Sequence, residues 1–254
     1  MLRLANVSKA FHPGTPNERV ALDNVNLFLP RGNFVTIIGG NGAGKSTLMN
    51  AISGIFLADS GRIFLDDKDI TFDPEHKRSR HIGRLFQDPM KGTAPNMTIA
   101  ENLALAYWSA SRERFKIGIS KKLLNFFREQ LAQLDLGLED RLKTNMGLLS
   151  GGQRQAVTLL MAAICTPKLL MLDEHTAALD PATGEKVLRL TREIIKKDRI
   201  TTIMVTHNIE SALALGERTI MMADGKIVLD IEGDARKDMT AEEVTKLFYT
   251  THTN

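Results

Sequence analysis

Apolar residues in this chain are gathered into short, sharply bounded runs. Phe34-Val35-Thr36-Ile37-Ile38, Leu169-Leu170-Met171-Leu172 and Ile203-Met204-Val205-Thr206 are nearly unbroken. Such runs, without polar alternation, predict central strands buried on both faces. Weaker apolar segments over 2–7, 24–29 and 62–65 predict an antiparallel β region near the start. Helical spacing takes over at 45–53, 99–110, 121–134 and 181–197, the last opened by Pro181, which suits a first helical turn. A short strand from residue 226 and a helix near 241–249 close the pattern. Strands alternating with helices predict an α/β fold with a parallel core. Between 88 and 166 strand signals give out, which predicts a helical lobe inserted into that core. The chain reads as a single domain, 1–254, with 1–87 and 167–254 forming the α/β core and its β region and 88–166 the lobe.

Composition narrows the picture without naming a chemistry. With 254 residues, 43% of them apolar, the chain can bury one good core. The formal charge is only +3, from 33 Lys and Arg against 30 Asp and Glu, so the balance makes no case for nucleic acid as a partner. Two basic clusters, at 76–81 and 112–116, read as solvated faces. Cys165 is the only cysteine, which excludes an intrachain disulfide and points to a reducing compartment. The apolar run that it ends predicts a small core residue there. No stretch approaches the ~20 apolar residues of a bilayer span, and the first six residues read as a strand, not a leader. A membrane role would leave the spanning to a separate protein.

Candidate chemistry begins at the end of the first central strand. Gly39-Gly40-Asn41-Gly42-Ala43-Gly44-Lys45-Ser46-Thr47 fits G-x-x-x-x-G-K-[ST], the phosphate-binding P-loop. Glycines let the backbone curl so that successive N–H groups face anionic oxygens, and the helix that follows adds its positive dipole end. In that pattern Lys45 reaches the β- and γ-phosphates and the Ser46 hydroxyl ligates Mg²⁺. Average composition yields the pattern in roughly one chain of this length per hundred. With a strand before it and a helix after, a ligand-free turn is a poor account. The core therefore reads as a P-loop NTPase core that binds a nucleotide.

The run at 169–172 ends in Asp173-Glu174, and charge at a strand terminus is costly unless something compensates it. Mg²⁺ on ATP would do so for Asp173, leaving Glu174 to orient or deprotonate a water. Alone, the pair would read equally well as a solvated acidic loop. A second glycine motif, Leu149-Ser150-Gly151-Gly152-Gln153, places a capping serine and two residues without side chains at a helix start. By itself it also reads as a plain N-cap.

Taken in order, the glycine loop, Gln87, Leu149-Ser150-Gly151-Gly152-Gln153, Asp173-Glu174 and His207 resemble the nucleotide-binding subunits of ATP-binding-cassette (ABC) transporters, over nearly the whole chain. The resemblance implies a head-to-tail pair of such subunits, most simply a homodimer. Each ATP would lie between one protomer's glycine loop and Ser150-Gly151-Gly152-Gln153 of the other. It also implies that Phe11 stacks on adenine, where the family more often has Tyr; packing in the core is the other reading of Phe11. By the same resemblance Gln87 senses Mg²⁺ and the water, Asp173 holds Mg²⁺, Glu174 activates the water and His207 attends the γ-phosphate. Asp180 matches a loop that communicates across the dimer. His175 stands where the family commonly has Pro, and Ala177 where it has Ser.

No membrane domain is fused, and residues 144–148 lack the acidic residue frequent in exporters, so the resemblance is to importers. The run at 86–95 resembles amino-acid-type uptake systems. The implied partners are a second ATP-binding subunit, a transmembrane permease and an extracytoplasmic solute-binding protein. The implied location is the cytoplasmic face of the cell membrane. Two rivals stand beside this reading. A soluble ABC ATPase of ribosomes or DNA usually carries two cassettes or long coiled coils; a non-hydrolysing nucleotide-binding module would not need Glu174 and His207.

Overall fold

The computed structural model describes residues 1–88, 90–111, 118–237 and 239–251. The basic cluster at 112–116 lies outside them. Contacts within the chain gather into two compact units, Met1–Arg78 with Arg199–Asn254, and Ser79–Asp198. The expected lobe, 88–166, falls inside the second.

From the start, the chain forms β1 (Leu2–Phe11), β2 (Arg19–Leu29), β3 (Phe34–Gly39), α1 (Lys45–Ser53), β4 (Ser60–Leu65), β5 (Lys68–Asp69) and α2 (Glu75–Arg78). The second unit follows with β6 (Ile82–Leu85), α3 (Ile99–Ala110), α4 (Lys121–Ala132), a 3₁₀ turn (Met146–Leu148), α5 (Gly151–Ala163), β7 (Leu169–Asp173) and α6 (Pro181–Asp198). The chain then returns to the first unit with β8 (Thr201–Val205), α7 (Ile209–Leu215), β9 (Arg218–Ala223), β10 (Lys226–Glu232), α8 (Asp234–Lys237) and α9 (Ala241–Thr251).

In the first unit, β2, β1, β4 and β5 form an antiparallel sheet in that order. Leu2 is paired with Leu29 on one side and with Leu65 on the other. This is the expected β region, with longer strands than the apolar runs alone implied. The parallel core is carried by β3, flanked by β8 and β9, both parallel to it. Phe34 to Ile38 and all of β8 are buried, as double-sided burial of an unbroken apolar run requires. β10 turns back antiparallel on β9 through Asp224-Gly225, two residues of positive φ that suit a tight hairpin. Ile38, Ala212, Met221 and Val244 form a core cluster that ties α7 and α9 to these strands.

In the second unit, β6 and β7 pair in parallel, with Leu85 opposite Leu172. Helices fill the rest. α3 opens on a capping box, in which the Thr98 hydroxyl accepts from Glu101 N and the Glu101 carboxylate accepts from Thr98 N. Tyr107 meets Phe126 and Phe127 edge-on, joining α3 to α4.

Two expectations need correction. Arg78, expected on a solvated basic face, is 2% exposed. Its guanidinium donates to the carbonyls of Ala51, Ile52, Thr71 and Asp73 at 2.7–2.9 Å, which settles the charge without water. Cys165, expected in the core, is half-buried, and its thiol points at the Tyr107 carbonyl, 3.7 Å away.

Candidate functional site

Each unit gathers one set of the expected residues. In the first, β3 runs into the glycine loop and α1 starts at Lys45. Gly44 caps α1 with φ 100°, and a Cβ there would overlap the Ala21 carbonyl oxygen. No side chain caps this helix, and no acidic residue lies in its first turn. Its opening N–H groups and dipole are therefore suited to an anion, which fits the phosphates of a nucleotide. Carbonyls brace the loop. Lys45 Nζ, buried, donates to Gly39 O at 2.8 Å and Gly40 O at 3.0 Å. Arg19 from β2 donates to Gly42 O at 2.8 Å, and Gly225 N to Ala43 O at 3.1 Å. Asn41 and Ser46 are exposed, and Thr47 is half-buried.

The register brings His207 to the same end. Ile37 pairs with Val205, so two residues on, Gly39 and His207 leave the carboxyl end of the parallel pair together. That end is where open α/β sheets bind ligands. Phe11 belongs to the other sheet. It is half-buried, edge-on to Phe56 at 5.6 Å, with Lys9 Nζ 5.8 Å from its ring centre.

In the second unit the same register argument applies to β6 and β7. Leu85 faces Leu172, so Gln87 and Glu174 emerge side by side from one sheet end. Gln87 is exposed. Asp173 faces the Arg84 guanidinium at 3.7 Å, with both side chains largely buried. Glu174 has φ 44°. Next to it, His175 is 3% exposed, and its Nε2 lies 3.1 Å from Thr191 Oγ1 on α6. The Thr191 hydroxyl already donates to Val187 O at 2.8 Å, so the ring is the donor, through Nε2. Desolvation lowers the His175 pKa to about 4.

Ser150 does cap α5. Its hydroxyl accepts from Gln153 N and its own N–H donates to Gln153 Oε1, each at 3.3 Å, so the motif is a capping box. A Cβ on Gly152 would overlap the Thr183 methyl, so only glycine lets α5 and α6 approach there. Ser150, Gly152, Gln153, Thr183 and Lys186 line a concavity of about 390 Å³. Asp180 caps the start of α6 by accepting from Thr183 N at 3.1 Å, and Thr183 holds its carboxyl below the usual range.

Sequence reasoning missed three arginines. Arg154 donates to the carbonyls of Met146, Gly147 and Leu149 and to the Met90 sulfur, fixing the entry to the second glycine motif. A cation in a first helical turn opposes the helix dipole, and that mismatch was the available sign that it is employed elsewhere. Arg84 sits in a four-residue strand too short for its lone charge to stand out. Arg19 carries no comparable sign.

A family model described as ABC transporter matches residues 22–177. The chain belongs to the ABC transporter family. A tyrosine transport ATP-binding protein of Clostridioides difficile is 44% identical over 250 residues, covering 98% of both chains. A methionine import ATP-binding protein of Rhodococcus jostii is 35% identical over 90% of this chain, which spans 65% of that longer relative. Among solved structures, a dimeric ATP-binding cassette in a post-hydrolysis state with ADP and Pi is 32% identical. It superposes with TM-score 0.78 over 91% of this chain and 98% of that one. As a member of importer type, this ABC subunit binds ATP and is an ATPase. Among the described residues, no helix is long and apolar enough to cross a membrane.

Proposed function

We propose that this ABC subunit powers uptake of an amino acid or similar small solute through a separate permease, working as a pair of subunits at the cytoplasmic face of the membrane. The full-length 44% identity to a tyrosine transport ATP-binding protein carries this reading. An extracytoplasmic solute-binding protein belongs to the same proposal. Residues 1–254 act as one ATP-binding domain, with 88–166 as its helical lobe.

The N–H groups of Gly39, Gly40, Asn41, Gly42, Ala43 and Gly44 and the start of α1, with Lys45 and Thr47, bind the triphosphate. Phe11 offers its half-buried ring to adenine. Ser46 in the first unit, and Gln87 and Asp173 in the second, each offer an oxygen donor that would suit a hard cation such as Mg²⁺. Bound there, the cation would neutralise phosphate charge. Glu174 takes the proton of the attacking water, a role worth ~10²–10⁴ in rate. His207 donates toward the γ-phosphate. Ser150, Gly151, Gly152 and Gln153 close over the ATP of a second copy.

The test is reconstitution in vesicles with the membrane protein that co-purifies with the chain. Labelled tyrosine should accumulate only with ATP on the subunit's side, and Lys45→Ala should abolish both accumulation and high-affinity binding of a fluorescent ATP analogue. Parental nucleotide affinity in Lys45→Ala would count against the phosphate cradle. ATPase activity indifferent to every amino acid tried would count against the solute class.

A further inference from the structure

Glu174 holds an unusual backbone. Ten non-glycine residues among those described have positive φ, and seven of them are Asn, Asp or His, types that visit the left-handed region readily. Glu174 is one of three that do not belong to those types, and such outliers persist only where the surroundings over-determine them. Here the surroundings can be named. On one side, Asp173 is anchored in β7 and faces Arg84. On the other, the His175 ring is buried and donates through Nε2 to Thr191 Oγ1, whose own proton goes to Val187 O. Ala177 N closes the turn on Glu174 O at 3.0 Å.

We propose that His175 is the positioning residue for Glu174: its hydrogen bond to Thr191 pins the turn to α6 and thereby holds the Glu174 carboxylate where it meets the attacking water. This rests on the reading of Glu174 as the residue that activates that water. Without the bond, residue 174 relaxes toward an ordinary negative φ, and the carboxylate swings with it. Nucleotide binding through the glycine loop needs none of these atoms, so the damage falls on turnover.

The experiment compares His175→Leu, His175→Gln, Thr191→Val and the Leu/Val double variant with the parent, using steady-state phosphate release by the purified full chain. His175→Leu and Thr191→Val should each lower kcat about ten- to a hundredfold, with KM for ATP nearly unchanged. The double variant should be no slower than the worse single one, because both remove the same bond. His175→Gln, which keeps an N–H donor at similar reach, should recover most of the rate. If His175→Leu does not fold, Thr191→Val against His175→Gln carries the comparison. A parental kcat in Thr191→Val, a Gln variant no faster than Leu, or a change confined to KM overturns the proposal. Glu174→Gln serves as the control. If it is inactive while the His175 and Thr191 variants turn over normally, only this inference falls. If it hydrolyses ATP at the parental rate, the reading of Glu174 falls, and this inference with it.

Discussion

A neutral imidazole in the interior makes the folded chain a poorer proton acceptor than the unfolded one. His175 ionises near 6.5 when solvated and at about 4 when folded. The unfolded chain therefore takes up the proton first as pH falls. Stability from this residue is whole above pH 6.5 and is lost as pH falls from about 6.5 to about 4, by roughly 3 kcal/mol in all. Urea midpoints of the chain without nucleotide or divalent metal, measured between pH 8 and pH 5, should fall more steeply for the parent than for His175→Gln. Equal slopes would mean that the ring is not the acceptor being protonated. His175 was visible in the sequence only as a departure at a turn position. Its partner, Thr191, lies 16 residues away, and nothing short of the fold of α6 brings the two together.

At the level of elements, α1 is supported at the end opposite its phosphate loop. The last carbonyls of a helix have no intrahelical partner, and cations stabilise that end. Asn50 O accepts from Gly54 N and Ile55 N, and Arg78 takes Ala51 O and Ile52 O. Arg78→Ala leaves buried carbonyls unsatisfied and should cost roughly 2–4 kcal/mol in urea unfolding. Arg78→Lys should recover less than half of that, since a point charge cannot match a planar fork on four carbonyls. A loss below 0.5 kcal/mol in the alanine variant, on the scale of a surface substitution, would return Arg78 to the solvated face.

The elements themselves were unevenly legible. β3, β7 and β8 announced themselves because double-sided burial demands unbroken apolar runs. β9 did not stand out, with methionines in place of β-branched residues, although Asp224-Gly225 was a readable hairpin sign. β6 has four residues, including Gly83 and Arg84, too little for any period to show. The glycine loop was legible because its chemistry is contiguous in the chain. The arginine clamps were not, because their acceptors are backbone carbonyls that any residue could supply.

For the whole molecule, the described residues present a helix start with no side-chain cap, at α1, and a capped glycine motif, at α5, in different compact units. On the proposed reading, the second motif serves a neighbouring copy. Glu174→Gln should then bind ATP without turnover and accumulate as a dimer, eluting earlier than the parent in gel filtration with ATP and returning to the parental volume when ATP is removed. A variant that stays monomeric at saturating ATP would argue against a shared site.

The glycine loop is braced from within. The ammonium of Lys45 already has two of its three N–H bonds directed to the loop's own carbonyls. A phosphate that met this group would set an anionic acceptor against a cation now held by neutral carbonyls, a stronger contact than either of the present two. A loop held in shape before its ligand arrives leaves less ordering to be done when one binds.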